Sequence, residues 1–147
     1  MKGDNKMNTG WYGNQYFVVK PLENGHQQML LVGAQPIGFG RWWILLGVFP
    51  SDITYDAMWG SYVWIDPTST NKNPSANTLA LALGALNEVE QEIHKRANGK
   101  KAYIYVDGLD KRRLRVYTKV LTKRCGYKVS TAWSDHVKNA HVLYKRV

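Results

Sequence analysis

The last third of the chain, Lys101 to Val147, restricts the fold more than any other stretch. It opens with an apolar strand, Ala102–Val106, and Asp107-Gly108 follows as a turn. Asp110 is then placed to cap a basic amphipathic helix over about Lys111 to Cys125. Leu114, Tyr117, Val120 and Leu121 fall on one side of that helix. Arg112, Arg115, Lys119, Thr122 and Lys123 fall on the other. Gly126 stops the helix, and Tyr127–Trp133 and Ala140–Arg146 read as two strands joined by a polar turn. A strand, a helix and a closing hairpin leave few ways to build the rest.

Upstream, four further strands are predicted: Tyr16–Lys20, Gln28–Ala34, Arg41–Phe49 and Ser61–Asp66. Asn24-Gly25 marks the first turn and Gln35–Gly40 is a connector. Arg41–Phe49 (RWWILLGVF) is apolar on both faces, the mark of a central strand. The polar stretch Thr68–Asn77 precedes a long helix over Thr78–Ala97, with Ser75 or Asn77 as its cap. Leu79, Ala82, Leu83, Leu86, Val89 and Ile93 form its apolar stripe, with Glu88, Glu90 and Glu92 expected to face away. The resulting order, β-β-β-β-α-β-α-β-β, is mixed α/β. The strand–helix–strand segment from Ser61 to Val106 predicts a right-handed parallel crossover if both strands share one sheet. Residues 1–15 are polar and read as an N-terminal arm ahead of one domain over 16–147, with Trp11 and Tyr12 as docking anchors for a protein partner.

Six Trp, nine Tyr and three Phe supply enough apolar area for a packed core in 147 residues. One cysteine, Cys125, rules out an internal disulfide framework. His26, His94, His136 and His141 lack metal-ligand spacing, so no metal is expected. The start MKGDNKMNTG has no apolar core, and the longest apolar run is far short of a membrane span, so a cytoplasmic, non-membrane protein is expected. The net charge of +9 is uneven. Residues 71–147 hold sixteen Lys/Arg against six Asp/Glu, and 111–128 hold eight with no acid. Such a field attracts nucleic acid, a phosphorylated cofactor or an acidic protein.

Two short motifs carry a resemblance. Val120–Val129 (VLTKRCGYKV) is similar to the end-of-helix pattern of the N-acetyltransferase superfamily (GNAT), and Val63–Pro67 (VWIDP) to its strand ending in Asp-Pro before the cofactor loop. The order of elements from Tyr62 onward resembles that family too. More narrowly, the chain looks like the small acyltransferase-like proteins of short-tailed phages, which serve as virion or assembly components. The resemblance implies a GNAT-like fold over about residues 41–147, with acetyl-CoA as the family cofactor.

Three departures from the family pattern bear on activity. The loop after Asp66-Pro67 should carry glycines that bring backbone N–H groups to a pyrophosphate, and there is none between Gly60 and Gly84. The family's proton-donating Tyr aligns with Thr122, whose hydroxyl is far too weak an acid. The two helices that shape the acceptor site have no room between Lys20 and Gln28. Three readings follow. In the first, the scaffold serves binding, as a phage-type virion, assembly or accessory protein without a cofactor. Its arm and basic helix (Arg112, Arg115, Lys119, Lys123) are then the contact surfaces. In the second, it is an acetyl-CoA-dependent N-acetyltransferase. Thr68, Ser69, Thr70, Asn71, Lys72 and Ser75 would meet the pyrophosphate, and Tyr105, Asp107 or Tyr117 would handle protons. In the third, it is a nucleic-acid-binding module that contacts phosphates.

Overall fold

Among the described residues, alternating and continuous apolar runs become seven strands, and two amphipathic stretches become helices. The structure, a computed structural model, describes residues 7–23, 27–54, 76–108 and 110–147. The strands are β1 (Gly10–Tyr12), β2 (Gln15–Leu22), β3 (Gln28–Gly38), β4 (Arg41–Pro50), β5 (Tyr103–Val106), β6 (Lys128–Trp133) and β7 (His141–Arg146). The helices are α1 (Ala76–Ala97), between β4 and β5, and α2 (Lys111–Arg124), between β5 and β6. All seven strands join one sheet in the order β1-β2-β3-β4-β5-β7-β6, so the fold is the mixed α/β class expected.

Contacts divide the chain into two compact units, residues 1–35 with 45–91 and residues 36–44 with 92–147. In the first, β2 pairs antiparallel with β3 from Tyr16↔Ala34 to Leu22↔Gln28. Met29 to Ala34 are all buried, so this strand is covered on both faces. Leu22, Leu30 and Val48 form a cluster against which Leu46, Leu81 and Ala82 pack, tying the first half of α1 to the sheet. Gly10–Tyr12, within the stretch read as an arm, form β1, and Met7 before it is buried.

Glu90 departs from the expected helix pattern: it is buried, not facing away. Its position explains this. Leu86 and Ile93, four residues before it and three after, are buried as well, which places Glu90 on the apolar stripe. Glu88, two residues back, reaches outward to Lys20 at 2.6 Å.

In the second unit, β5 pairs parallel with β4 at Arg41↔Tyr103, Trp42↔Ile104 and Trp43↔Tyr105, and antiparallel with β7 along its whole length. Both edges of β5 are therefore taken. Its parallel neighbour is Arg41–Pro50, and the expected crossover from Ser61 to Val106 begins outside the described residues. The predicted strand Ser61–Asp66, the Asn24-Gly25 turn, His26, Trp59, Trp64 and the loop 68–75 lie outside the described residues. Since β7 opposes both β5 and β6, the closing hairpin folds back and inserts its second strand into the sheet.

Gly108 lets α2 close on the end of β5. A Cβ there would sit 2.6 Å from the Leu114 backbone nitrogen, a distance no side chain tolerates. At the other end of α2, Gly126 takes φ +78, and this left-handed turn brings the Tyr127 N–H to the Leu121 carbonyl at 3.2 Å.

Candidate functional site

The residues named from sequence fall into four settings. The first is the basic face of α2. Asp110 caps the helix, its carboxylate accepting from the Arg113 N–H at 2.8 Å and pairing with the Arg113 guanidinium. Leu114 and Leu121 are buried, and Arg112, Arg115, Lys119 and Lys123 are all exposed. Lys111 and Arg124 are exposed too, so the helix presents a cationic surface to solvent over its full length.

The second setting is the proton-handling set, which the structure spends on other contacts. Asp107 ends β5 as a clasp. Its Oδ1 accepts from the Ser134 hydroxyl at 2.5 Å and from the Gly108 N–H at 2.8 Å. Its Oδ2 accepts from the Asp135 N–H at 3.0 Å. Ser134 in turn accepts from the N–H groups of His136 and Val137, so one carboxylate orders the whole polar turn of the closing hairpin. With three donors on its two oxygens, this carboxylate is committed to the turn. Tyr105 lies between two rings, stacked on Trp43 at 6.4 Å and on Tyr144 at 6.1 Å. Tyr117 is half-buried on α2. Burial pushes its phenol up to about 12, with the Arg113 charge working against this and Asp110 adding to it. That phenol is a weaker acid than free tyrosine. Thr122 is exposed and donates to the Thr118 carbonyl of its own helix at 2.6 Å. These four groups do not converge on a common point of chemistry.

The third setting is the N-terminal pair. Trp11 packs on Tyr16 at 5.1 Å and Tyr12 on Phe17 at 5.7 Å, and the Tyr12 hydroxyl exchanges hydrogen bonds with the backbone of Asn8. Both side chains are half-buried by the protein itself. The fourth is the stretch expected to meet a pyrophosphate if the chain is a transferase, Thr68, Ser69, Thr70, Asn71, Lys72 and Ser75, which lies outside the described residues.

Among the described residues no group of three or more His, Cys, Asp or Glu is arranged to hold a metal ion. None of their helices is long and apolar enough to cross a membrane. Cys125 is a half-buried thiol at the C-cap of α2. An open depression of about 420 Å³ lies along the turn from Trp133 to Asn139, away from the tyrosines discussed above.

Sequence reasoning missed the row Trp43–Tyr105–Tyr144. Its signal was present as the alternations Arg41-x-Trp43, Tyr103-x-Tyr105 and Tyr144-x-Arg146, which place aromatic and basic residues on one face of their strands. Only the strand order makes the three alternations neighbours. No protein-family model, no curated protein and no solved structure matches this chain.

Proposed function

We propose that this protein is a binding protein on an acyltransferase-like scaffold, not a working acyltransferase, and that it engages a polyanion through the exposed face of α2. The observation that carries the reading is the contrast within one element. The cations Arg112, Arg115, Lys119 and Lys123 stand in solvent, and the groups a transferase would use for proton transfer are engaged elsewhere. The parallel β4–α1–β5 crossover, a second helix and a terminal hairpin are the elements that the GNAT resemblance implies, and they support the scaffold half of the reading. Trp11 and Tyr12 are packed on their own sheet, so the weight of the contact falls on α2 rather than on the N-terminal segment. In a phage-type assembly or accessory protein, the role that the narrower resemblance implies, the polyanion is nucleic acid or an acidic patch of a virion protein.

Two measurements test this. Calorimetric titration with acetyl-CoA should give no saturable heat, and micromolar binding would overturn the non-catalytic half. Retention on immobilised heparin should be strong at low salt and fall steeply as salt rises. The triple variant Arg112→Glu, Arg115→Glu, Lys119→Glu should elute far earlier with an unchanged melting temperature. Unchanged elution would remove α2 from the contact.

A further inference from the structure

The open face of the second unit's sheet is a different surface from α2 and carries its own chemistry. Direct cross-strand partners share a face, and residues two apart along a strand share it too. The pairings therefore build a grid. One row is Arg41, Tyr103 and Arg146, and the next row on the same face is Trp43, Tyr105, Tyr144 and Lys128. The row between them points the opposite way and holds Ile104, which is fully buried.

The four aromatic residues of the grid are half-buried, and the three cations are exposed. Trp43 lies 22° from the plane of Tyr105, and Tyr144 lies 25° from it, so three rings on three adjacent strands share nearly one orientation. No acid occupies either row. The nearest carboxylate, Asp107, is two residues beyond Tyr105 and is held by Ser134 and Asp135, and Val142, two before Tyr144, is fully buried. These bound the open area on one side.

We infer that this face binds single-stranded nucleic acid, with unpaired bases stacking on Trp43, Tyr105 and Tyr144 and the backbone phosphates meeting Arg41, Arg146 and Lys128. The inference rests on the polyanion-binding reading, adds this face to α2 as a second contact surface, and names the polyanion that fits it. Aromatic rings in the centre and cations at the rim match a ligand with a planar π-face on one side and a charge on each unit of its backbone. A duplex hides its bases in the stack, and an acidic polypeptide has no bases to offer. Stacking is tolerant of base identity, so little sequence preference is expected.

The test uses the full chain, a labelled oligothymidylate of about 16 nucleotides, near the upper site size of single-strand binders, and a duplex of the same length. The single strand should bind at least about tenfold more tightly than the duplex. Arg41→Gln with Arg146→Gln, both exposed and outside the core, should weaken single-strand binding by a larger factor than the Arg112→Glu, Arg115→Glu, Lys119→Glu variant does. Tyr105→Leu should weaken it by about tenfold or more, the range of one lost base stack. On the unmodified protein, ultraviolet crosslinks should map to the peptides holding Trp43, Tyr105 and Tyr144. Equal affinity for single strand and duplex, crosslinks confined to α2, or displacement by polyglutamate as readily as by polyuridylate would each overturn the inference. If heparin retention persists under those results, the polyanion reading survives without its named partner. If heparin is not retained either, both fall.

Discussion

Six consecutive residues of β3, Met29 to Ala34, are buried, whereas five of the six residues of β6 are exposed and Ser130 is half-buried. The two strands belong to different compact units, and charge divides the same way. The unit of residues 1–35 and 45–91 holds four Lys/Arg against seven Asp/Glu, and the unit of 36–44 and 92–147 holds sixteen against four. A like-charged surface of that density repels itself and gains free energy when an anion neutralises it. The first unit is built to stay closed. The second keeps cations and a strand edge at its surface around a core that includes Ile104, Leu143 and Tyr127.

The comparison breaks most plainly in the core. Phe17→Ala, in the first unit, removes a fully buried ring beside Gly33 and should cost about 4 kcal/mol in denaturant unfolding. A loss under about 1 kcal/mol would mean that this unit is not the closed one. Asp107→Ala, in the second, leaves the Ser134 hydroxyl and the Asp135 and Gly108 N–H groups without their acceptor. It should cost about 2 kcal/mol and speed amide exchange in the Ser134–Asn139 turn with little effect on heparin retention. A loss of binding equal to the loss of stability would return Asp107 to the functional site.

A third test sharpens the comparison through pH. The phenol of Tyr117 is raised to about 12 in the folded protein from its ordinary value of 10.0. The folded state therefore keeps this proton when the unfolded chain has released it. The stability involved is fully present below pH 10.0 and is lost as pH climbs toward about 12. Tyr117→Phe should flatten that alkaline decline, and an unchanged slope would show that Tyr117 is not the group responsible. The smallest effect belongs to the edge strand. Val129 is 54% exposed, so Val129→Ser should move stability by less than about 0.5 kcal/mol.

Much of the second unit was legible in the chain because its signals are local. Asp110 caps and Gly126 stops the basic helix as read, and the hairpin strands fall within one residue of their expected bounds. Each follows from local physics: a cap accepts from its own first turn, and a positive φ favours glycine. The misread features were non-local. Glu90 was assigned outward because a charge normally is, yet the helix period sets its direction. The pairing of β5 depends on the whole sheet, since β4 and β7 hold both of its edges. Tyr105 and Asp107 looked available as single residues, and only the cross-strand register shows the ring stack and the clasp that engage them.

The position of β7 has a consequence for how the molecule comes into being. It follows every other strand and helix in chain order, yet it lies inside the sheet, with β5 on one side and β6 on the other. During synthesis β5 and β6 must therefore wait with bare flanks until their shared neighbour emerges from the ribosome, while the cationic α2 is already made. A nascent chain in that condition is open to capture by whatever anion is nearby, before β7 fills the gap between its two neighbours.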